Sequence, residues 1–240
     1  MAIEKIAEII RNNKNVAILP HVSADGDALA SGFALGLALR KIGIEPKIVL
    51  EERIPWVYEF LPGREMSALY DGQDIPYDLV IAVDTGDLNR LGKRLGIFRA
   101  ANNTVNIDHH TSNTRFAGLN HVSVESAATG EIIYELIEIM NIEIDKDIAI
   151  CLYTAISSDT GGFRFSNTTP LTHHIAAKLV EKGLNIAKIS RRIFDEAALE
   201  KVKLMGMAIN TLQLLEEGRI AVIEVSLEMM KKTGAKEEDC

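Results

Sequence analysis

Cysteine is almost absent: there are two in 240 residues, Cys151 and Cys240, far apart in the chain. That excludes a disulfide framework and a CxxC metal pair, and points to a reducing compartment, the cytoplasm. No apolar run approaches the ~20 residues of a membrane span. The longest, residues 28–39, is short and rich in Ala and Gly. The opening MAIEKIAEIIRNNKN carries charges throughout and does not read as a signal peptide. Basic residues are in deficit, 26 against 34 acidic ones, for a formal charge of −8. A surface that tracks long duplex DNA needs clustered Lys and Arg, so that partner is excluded, as is a membrane. A small or short anionic substrate held at one local site remains compatible. The rest is ordinary globular composition, 47% apolar and 25% charged, at a length for one large domain or two small ones.

What is present is an alternation of strand-length apolar runs and helix-length periodic segments. Ile3, Ile6, Ile9 and Ile10 give one apolar face to an opening helix. Strands are predicted over 15–19, 46–50, 78–83 and 104–107, and a helix over 28–42 closed by Gly43. Such runs, apolar on both faces and separated by helices, indicate an α/β fold, a mainly parallel sheet with helices on both faces. From Ser126 the pattern turns helical. Ser126 is expected to cap 127–140, Asp145 to cap 146–157, and Thr169-Pro170 to open a helix that stops at Gly183. Helices over 185–194 and 196–216, an isolated strand over 219–225 and a short helix opened by Ser226 complete the reading. The expected domains are 1–195, a linker helix 196–216, and 217–240 as the start of an incomplete second domain. A lone strand and half-helix cannot bury a core of their own. The exposed edge at 219–225 would suit a second copy, leaving a homodimer open.

Four loops hold nearly all the clustered acids and histidines: HVSADGD (21–27), VDTGD (83–87), DHH (108–110) and SSDTGG (157–162). Three follow predicted strands, and open parallel sheets bind ligands at the carboxyl ends of their strands. His21, Asp25, Asp27, Asp84, Asp108, His109, His110 and Asp159 should therefore converge. Carboxylates packed that closely repel one another unless cations balance them. Mixed carboxylate and imidazole donors suit Mn²⁺, Fe²⁺, Co²⁺ or Mg²⁺. Two such ions about 3.5–4 Å apart form the clamp used for displacement at phosphorus. Each loop alone has a plainer reading: Asp-Gly-Asp as a turn, Asp84 as a helix cap, Asp-His-His as a buried polar cluster, Ser-Ser-Asp-Thr as a helix end. All four in this order, each at a loop, favour the metal site.

Other candidates are weaker. Arg164 could offer a planar fork to a phosphate or a surface ion pair, with Arg90 a lesser candidate of the same kind. Gly161 and Gly162 would bring backbone N–H groups to a phosphate or form a tight turn. His121, His173 and His174 read as structural, and Trp56 as a core anchor rather than a base-stacking platform.

HVSADGDALAS, VDTGD, DHH and SSDTGGF resemble the four motifs of the DHH phosphoesterase family. That RecJ-like superfamily includes RecJ-like exonucleases, family II inorganic pyrophosphatases, NrnA-type nanoRNase/pAp phosphatases and cyclic-di-AMP phosphodiesterases. The resemblance implies one Mn²⁺ on His21, Asp25 and Asp84, and a second on Asp27, Asp84, His109 and Asp159. It implies Mg²⁺ or Co²⁺ as substitutes for Mn²⁺, and places His110 beside the nucleophile or scissile phosphate. Asp108 would fix the tautomer of a histidine, so the catalytic set is His110, Asp108 and Asp84. The resemblance also implies a DHHA1-type second domain with a Gly-rich segment; 217–240 is expected to be the start of that domain, and no such Gly-rich segment occurs in the sequence. The expected activity is metal-dependent hydrolysis of short oligonucleotides, linear dinucleotides or 3′-phosphoadenosine phosphate, closest to the NrnA type. The alternatives are an inorganic pyrophosphatase, a cyclic-di-AMP phosphodiesterase, or a metal-dependent nucleotide-binding module without turnover.

Overall fold

The apolar stripe at the start forms helix α1 (Ala2–Arg11), which buries Ile3, Ile6, Ala7 and Ile10. The structure, a computed structural model, describes residues 2–236. Cys240, and with it the end of the expected 217–240 segment, lies outside the described residues. The described residues divide into two compact units, one ending at Ile193 and the other beginning at Phe194.

In the first unit, β1 (Val16–Pro20) leads to α2 (Gly26–Lys41), and β2 (Lys47–Leu50) and β3 (Ser67–Leu69) follow. Next come β4 (Leu79–Val83), α3 (Leu95–Ala100), β5 (Asn103–Asp108) and β6 (Leu119–Val122). Helices α4 (Thr129–Ile139), α5 (Lys146–Asp159), α6 (Pro170–Val180) and α7 (Ile186–Ser190) complete it. All six strands pair in parallel in the order β3-β2-β1-β4-β5-β6. Alternation along β1 sorts the core: Val16 and Ile18 pack under the helical layer of α1, α2, α4 and α5. Ala17 and Leu19 face Leu91, Ile97 and Phe98 on the other side. The fold is therefore α/β with both sheet faces covered, as the continuous apolar runs require.

The Ala- and Gly-rich run is α2, buried almost throughout because it packs against β1, α4 and α5 together. A helix covered on all sides needs no polar face, which explains its weak amphipathicity. Gly130, in the first turn of α4, lets α4 approach α5: a Cβ there would lie 2.6 Å from the Ala155 Cβ. Gly130→Ala is expected to lower unfolding stability by ~1–3 kcal/mol through overpacking. A urea midpoint that drops at unchanged slope would show it.

Several expectations are corrected. The edge strands β3 and β6 were not predicted, being three and four residues long and only half-buried or exposed. Short edges of this kind guard a sheet against pairing with other chains. Ser126 does not cap α4; the cap position is Ala128, whose methyl group cannot accept a hydrogen bond. The helix expected over 185–194 is α7 followed by a π-helical turn, Arg191–Asp195. In the second unit, the helix expected over 196–216 is only α8 (Leu199–Ile209). It stops where the Thr211 hydroxyl bonds the Ala208 carbonyl at 2.6 Å and accepts from the Glu224 N–H at 2.8 Å, the competition with helix that Thr offers. The strand within 219–225 is not isolated: β7 (Gln213–Leu215) pairs antiparallel with β8 (Ile220–Val222). The short helix α9 (Leu227–Thr233) follows, capped by Ser226 onto the Met229 N–H.

Candidate metal centre

Strand order decides where the site lies. The chain winds one way from β1 to β3 and the other way from β4 to β6, so the crevice opens between the ends of β1 and β4. Doubly wound sheets hold their ligands at that reversal. His21 directly follows β1, Asp84 directly follows β4, and β5 ends on Asp108, ahead of His109 and His110. Asp25 caps α2 by accepting the Ala28 N–H at 3.1 Å, Asp27 lies in the first turn of α2, and Asp159 ends α5.

All eight residues come together. Three groups have donor atoms within 4.8 Å of one another: His21, Asp25 and Asp84; Asp27, His109 and Asp159; and Asp84, His109 and His110. The His21 Nε2 lies 3.8 Å from Asp25 Oδ1 and 3.6 Å from Asp84 Oδ2. The His109 Nε2 lies 3.3 Å from Asp159 Oδ2, 3.7 Å from Asp84 Oδ1 and 3.9 Å from Asp27 Oδ2. Asp84 thus turns Oδ2 to His21 and Oδ1 to His109. It does so from a left-handed backbone (φ 56°), a conformation costly for a non-glycine residue and concentrated at functional sites.

The other ring nitrogens are anchored by backbone. His21 Nδ1 faces the Val22 carbonyl at 2.6 Å, and His109 Nδ1 faces the Ser126 carbonyl at 3.2 Å. A carbonyl at Nδ1 leaves Nε2 as the ligating atom. His110 is held differently, with Nδ1 at 2.7 Å from Asp108 Oδ1. Asp108 is fully buried, outside all three groups, and accepts from Asn113 Nδ2 at 2.5 Å.

The electrostatics show an acid cluster in want of positive charge. Burial, then the charges of Asp84, Asp159 and Asp25, push the Asp27 carboxyl well above its usual range. Burial also lifts Asp159 to about 6, His109 opposing and Asp84 and Asp25 adding. Burial disfavours the His21 imidazolium, but hydrogen bonds to Asp25 and Asp84 outweigh it and carry that ring up to about 9. Burial would raise Asp25 too, yet the His21 bond and the Ala28 N–H hold it low. The Asp108 bond raises His110 against its partial burial, and His110 with Asn113 holds Asp108 low in return. Oxygen and imidazole donors without a thiolate, with carboxylates raised by one another, fit divalent ions of the Mn²⁺ or Mg²⁺ kind.

Arg90 reaches this cluster, its Nη2 2.8 Å from His21 Nδ1. Arg164 is exposed and folds onto its own turn, its Nε donating to the Gly161 carbonyl at 2.5 Å. The N–H groups of Gly161 and Gly162 do not face a phosphate: they donate to the Ser158 and Ser157 carbonyls. Both glycines have positive φ, so they serve the tight turn. His173 and His174 are exposed, His173 stacking on Phe163 with ring centroids 5.6 Å apart. His121 lies in the edge strand β6. Trp56 is not a core anchor: it is half-buried under the Arg192 guanidinium, 4.1 Å from its ring centroid.

Sequence reasoning missed the groups that hold the acids. Ser31, one helical turn after Asp27, donates to its Oδ1 at 2.9 Å; that i,i+4 spacing was a usable signal. Thr129 and Gly130, beside both Asp27 and Asp84, gave none. Tyr58 was also missed; burial and the Asp25 and Asp159 charges push its phenol up to about 12.

The profile of the DHH family, N-terminal domain, matches residues 15–156, more than half the chain. The chain belongs to the DHH family. As a DHH phosphoesterase it is a hydrolase. Its relatives include the bifunctional oligoribonuclease and PAP phosphatase NrnA of Thermus thermophilus, 30% identical over 234 residues. That alignment spans 97% of this chain and 69% of the relative. An exopolyphosphatase-related protein from Bacteroides fragilis superposes with a TM-score of 0.91 at 23% identity, over 99% of this chain and 73% of that one. A putative family II inorganic pyrophosphatase of Methanococcus jannaschii reaches 0.58 at 20% identity, over 92% and 74%. These two likenesses establish the fold. Among the described residues, no helix is long and apolar enough to cross a membrane.

Proposed function

We propose that this DHH phosphoesterase uses two divalent ions, Mn²⁺ foremost, to hydrolyse short oligonucleotides, linear dinucleotides or 3′-phosphoadenosine phosphate. The observation that carries the reading is Asp84, with Oδ2 turned to His21 and Oδ1 to His109. One ion would rest on His21, Asp25 and Asp84, the other on Asp27, Asp84, His109 and Asp159. Bound there, the pair would supply Lewis-acid charge to the phosphoryl oxygens. They would also bring the formal charge from −8 to about −4, easing approach of an anion.

The protein's own groups do the rest. His110, raised by its bond to Asp108 and 45% exposed, would present Nε2 to the leaving oxygen as the proton donor. Arg90, which reaches the cluster at His21, is the cation we assign to a phosphate oxygen, ahead of Arg164, which folds back onto the Gly161 carbonyl. The second compact unit holds none of these residues, and we assign it to substrate binding. A cytoplasmic setting agrees with Cys151, a buried free thiol. The printed activities of the Thermus relative support the substrate class.

The test is product release with Mn²⁺ from 5′-phosphorylated diadenylate, 3′-phosphoadenosine phosphate, cyclic di-AMP and pyrophosphate, side by side. Turnover of the first two, well above the others, is expected. Preference for pyrophosphate or cyclic di-AMP, or tight nucleotide binding without turnover, would overturn the reading.

A further inference from the structure

Helix α4 begins with a gap in its own capping. Ala128 at the cap position has no side-chain acceptor, yet the first N–H groups of a helix need partners. Asp27, from α2, supplies them. The Thr129 N–H donates to its Oδ2 at 2.6 Å and the Gly130 N–H to its Oδ1 at 3.0 Å. The same Thr129 sends its hydroxyl to Asp84 Oδ1 at 2.8 Å. One fully buried residue therefore grips two carboxylates from different elements, Asp27 of α2 and Asp84 after β4. Both grips fall on the side facing His109 Nε2, 3.7 Å from Asp84 Oδ1 and 3.9 Å from Asp27 Oδ2.

We propose that Thr129 is the positioning residue for the ion on the His109 side. It holds Asp84 Oδ1 and Asp27 Oδ2 in place before metal arrives. Two buried carboxylates at this range repel and would turn apart. Donors fixed at one residue hold both carboxylates in place and set which lone pairs stay open. The hydroxyl has a further consequence: it touches Oδ1 of Asp84 and leaves Oδ2, the atom near His21, untouched. Loss of the hydroxyl should therefore weaken one ion selectively.

The inference rests on the two-ion reading, and the experiment separates the two. Mn²⁺ is titrated calorimetrically into the wild-type chain, Thr129→Val and Thr129→Ser, with melting curves of each metal-free protein. Valine keeps the volume and the backbone N–H but removes the hydroxyl; serine keeps the hydroxyl. Wild type should take two ions, and Thr129→Val should bind one of them about 10- to 100-fold more weakly while holding the other. Thr129→Ser should restore it. A merely structural residue would lower the melting temperature of Thr129→Val and leave both affinities unchanged, which would overturn the proposal alone. Equal loss in Thr129→Ser and Thr129→Val would also overturn it. Fewer than two ions in wild type would overturn the two-ion reading and this proposal with it. Thr129→Ala repeats the comparison if the valine variant does not fold.

Discussion

Asp84→Asn is expected to lower turnover by roughly 10³-fold or more and to raise the melting temperature of the metal-free protein. The two effects have one cause. Asp84 is buried and its charge helps push Asp27 and Asp159 above the ordinary carboxylate range. Neutralising it relieves that repulsion, and asparagine is among the residues that best accept its left-handed backbone. The amide oxygen can still accept the Thr129 hydroxyl. A neutral amide cannot serve as the shared anionic ligand of two ions, so the chemistry is lost while the fold gains. Relief worth about 1 kcal/mol would raise melting by about 2–4 °C in a domain of this size. Turnover within tenfold of wild type, or a fall in metal-free melting temperature, would contradict this.

The second large effect is the response of stability to metal and pH. His21 sits at about 9 in the metal-free fold, above the 6.5 of a free imidazole, and His110 is raised as well. A raised histidine contributes stability that is complete below its unfolded value and is lost as pH climbs through the folded one. Metal-free stability should therefore fall between about pH 6.5 and pH 9. Asp159, raised to about 6, loses its share lower down, from the usual carboxylate range to about pH 6. Metal must displace these protons, so its affinity rises over the same interval. At a free metal concentration 1,000-fold above Kd, one site adds about 4 kcal/mol, or roughly 10 °C of melting temperature. Melting curves with Mn²⁺ and with a chelator, at pH 6.5 and about pH 8.5, should show a metal-induced rise that is larger at the higher pH. A rise that shrinks with pH, or none, would contradict the proposed ligands.

The sheet was legible because β1, β2 and β4 are apolar runs, and three of the four motifs were legible because each stands at the end of a strand. His21 and Asp84 were placed by β1 and β4, so finding these two strands was enough to find the crevice. Edge strands β3 and β6 escaped because they are short and half-solvated, leaving no periodic signal. Ser126 looked like a cap by residue type, but the cap of α4 comes from Asp27, 102 positions earlier than Thr129. No local pattern encodes that contact. For the same reason Thr129, a small residue in an Ala-Ala-Thr-Gly run, carried no sign of its two carboxylate partners. Gly161 and Gly162 read equally well as phosphate donors or as a turn, and only the bonds of their N–H groups to Ser158 and Ser157 separate the two.

The central claim is that the acids and imidazoles gathered around Asp84 hold two ions at once. The most direct measurement is the number of Mn²⁺ ions bound per chain at neutral pH, by calorimetric titration of wild type beside Asp84→Asn. Two ions in wild type, with binding at both sites crippled by the single substitution, is the predicted result. One ion or none in wild type, or two ions still held firmly without the Asp84 carboxylate, would contradict it.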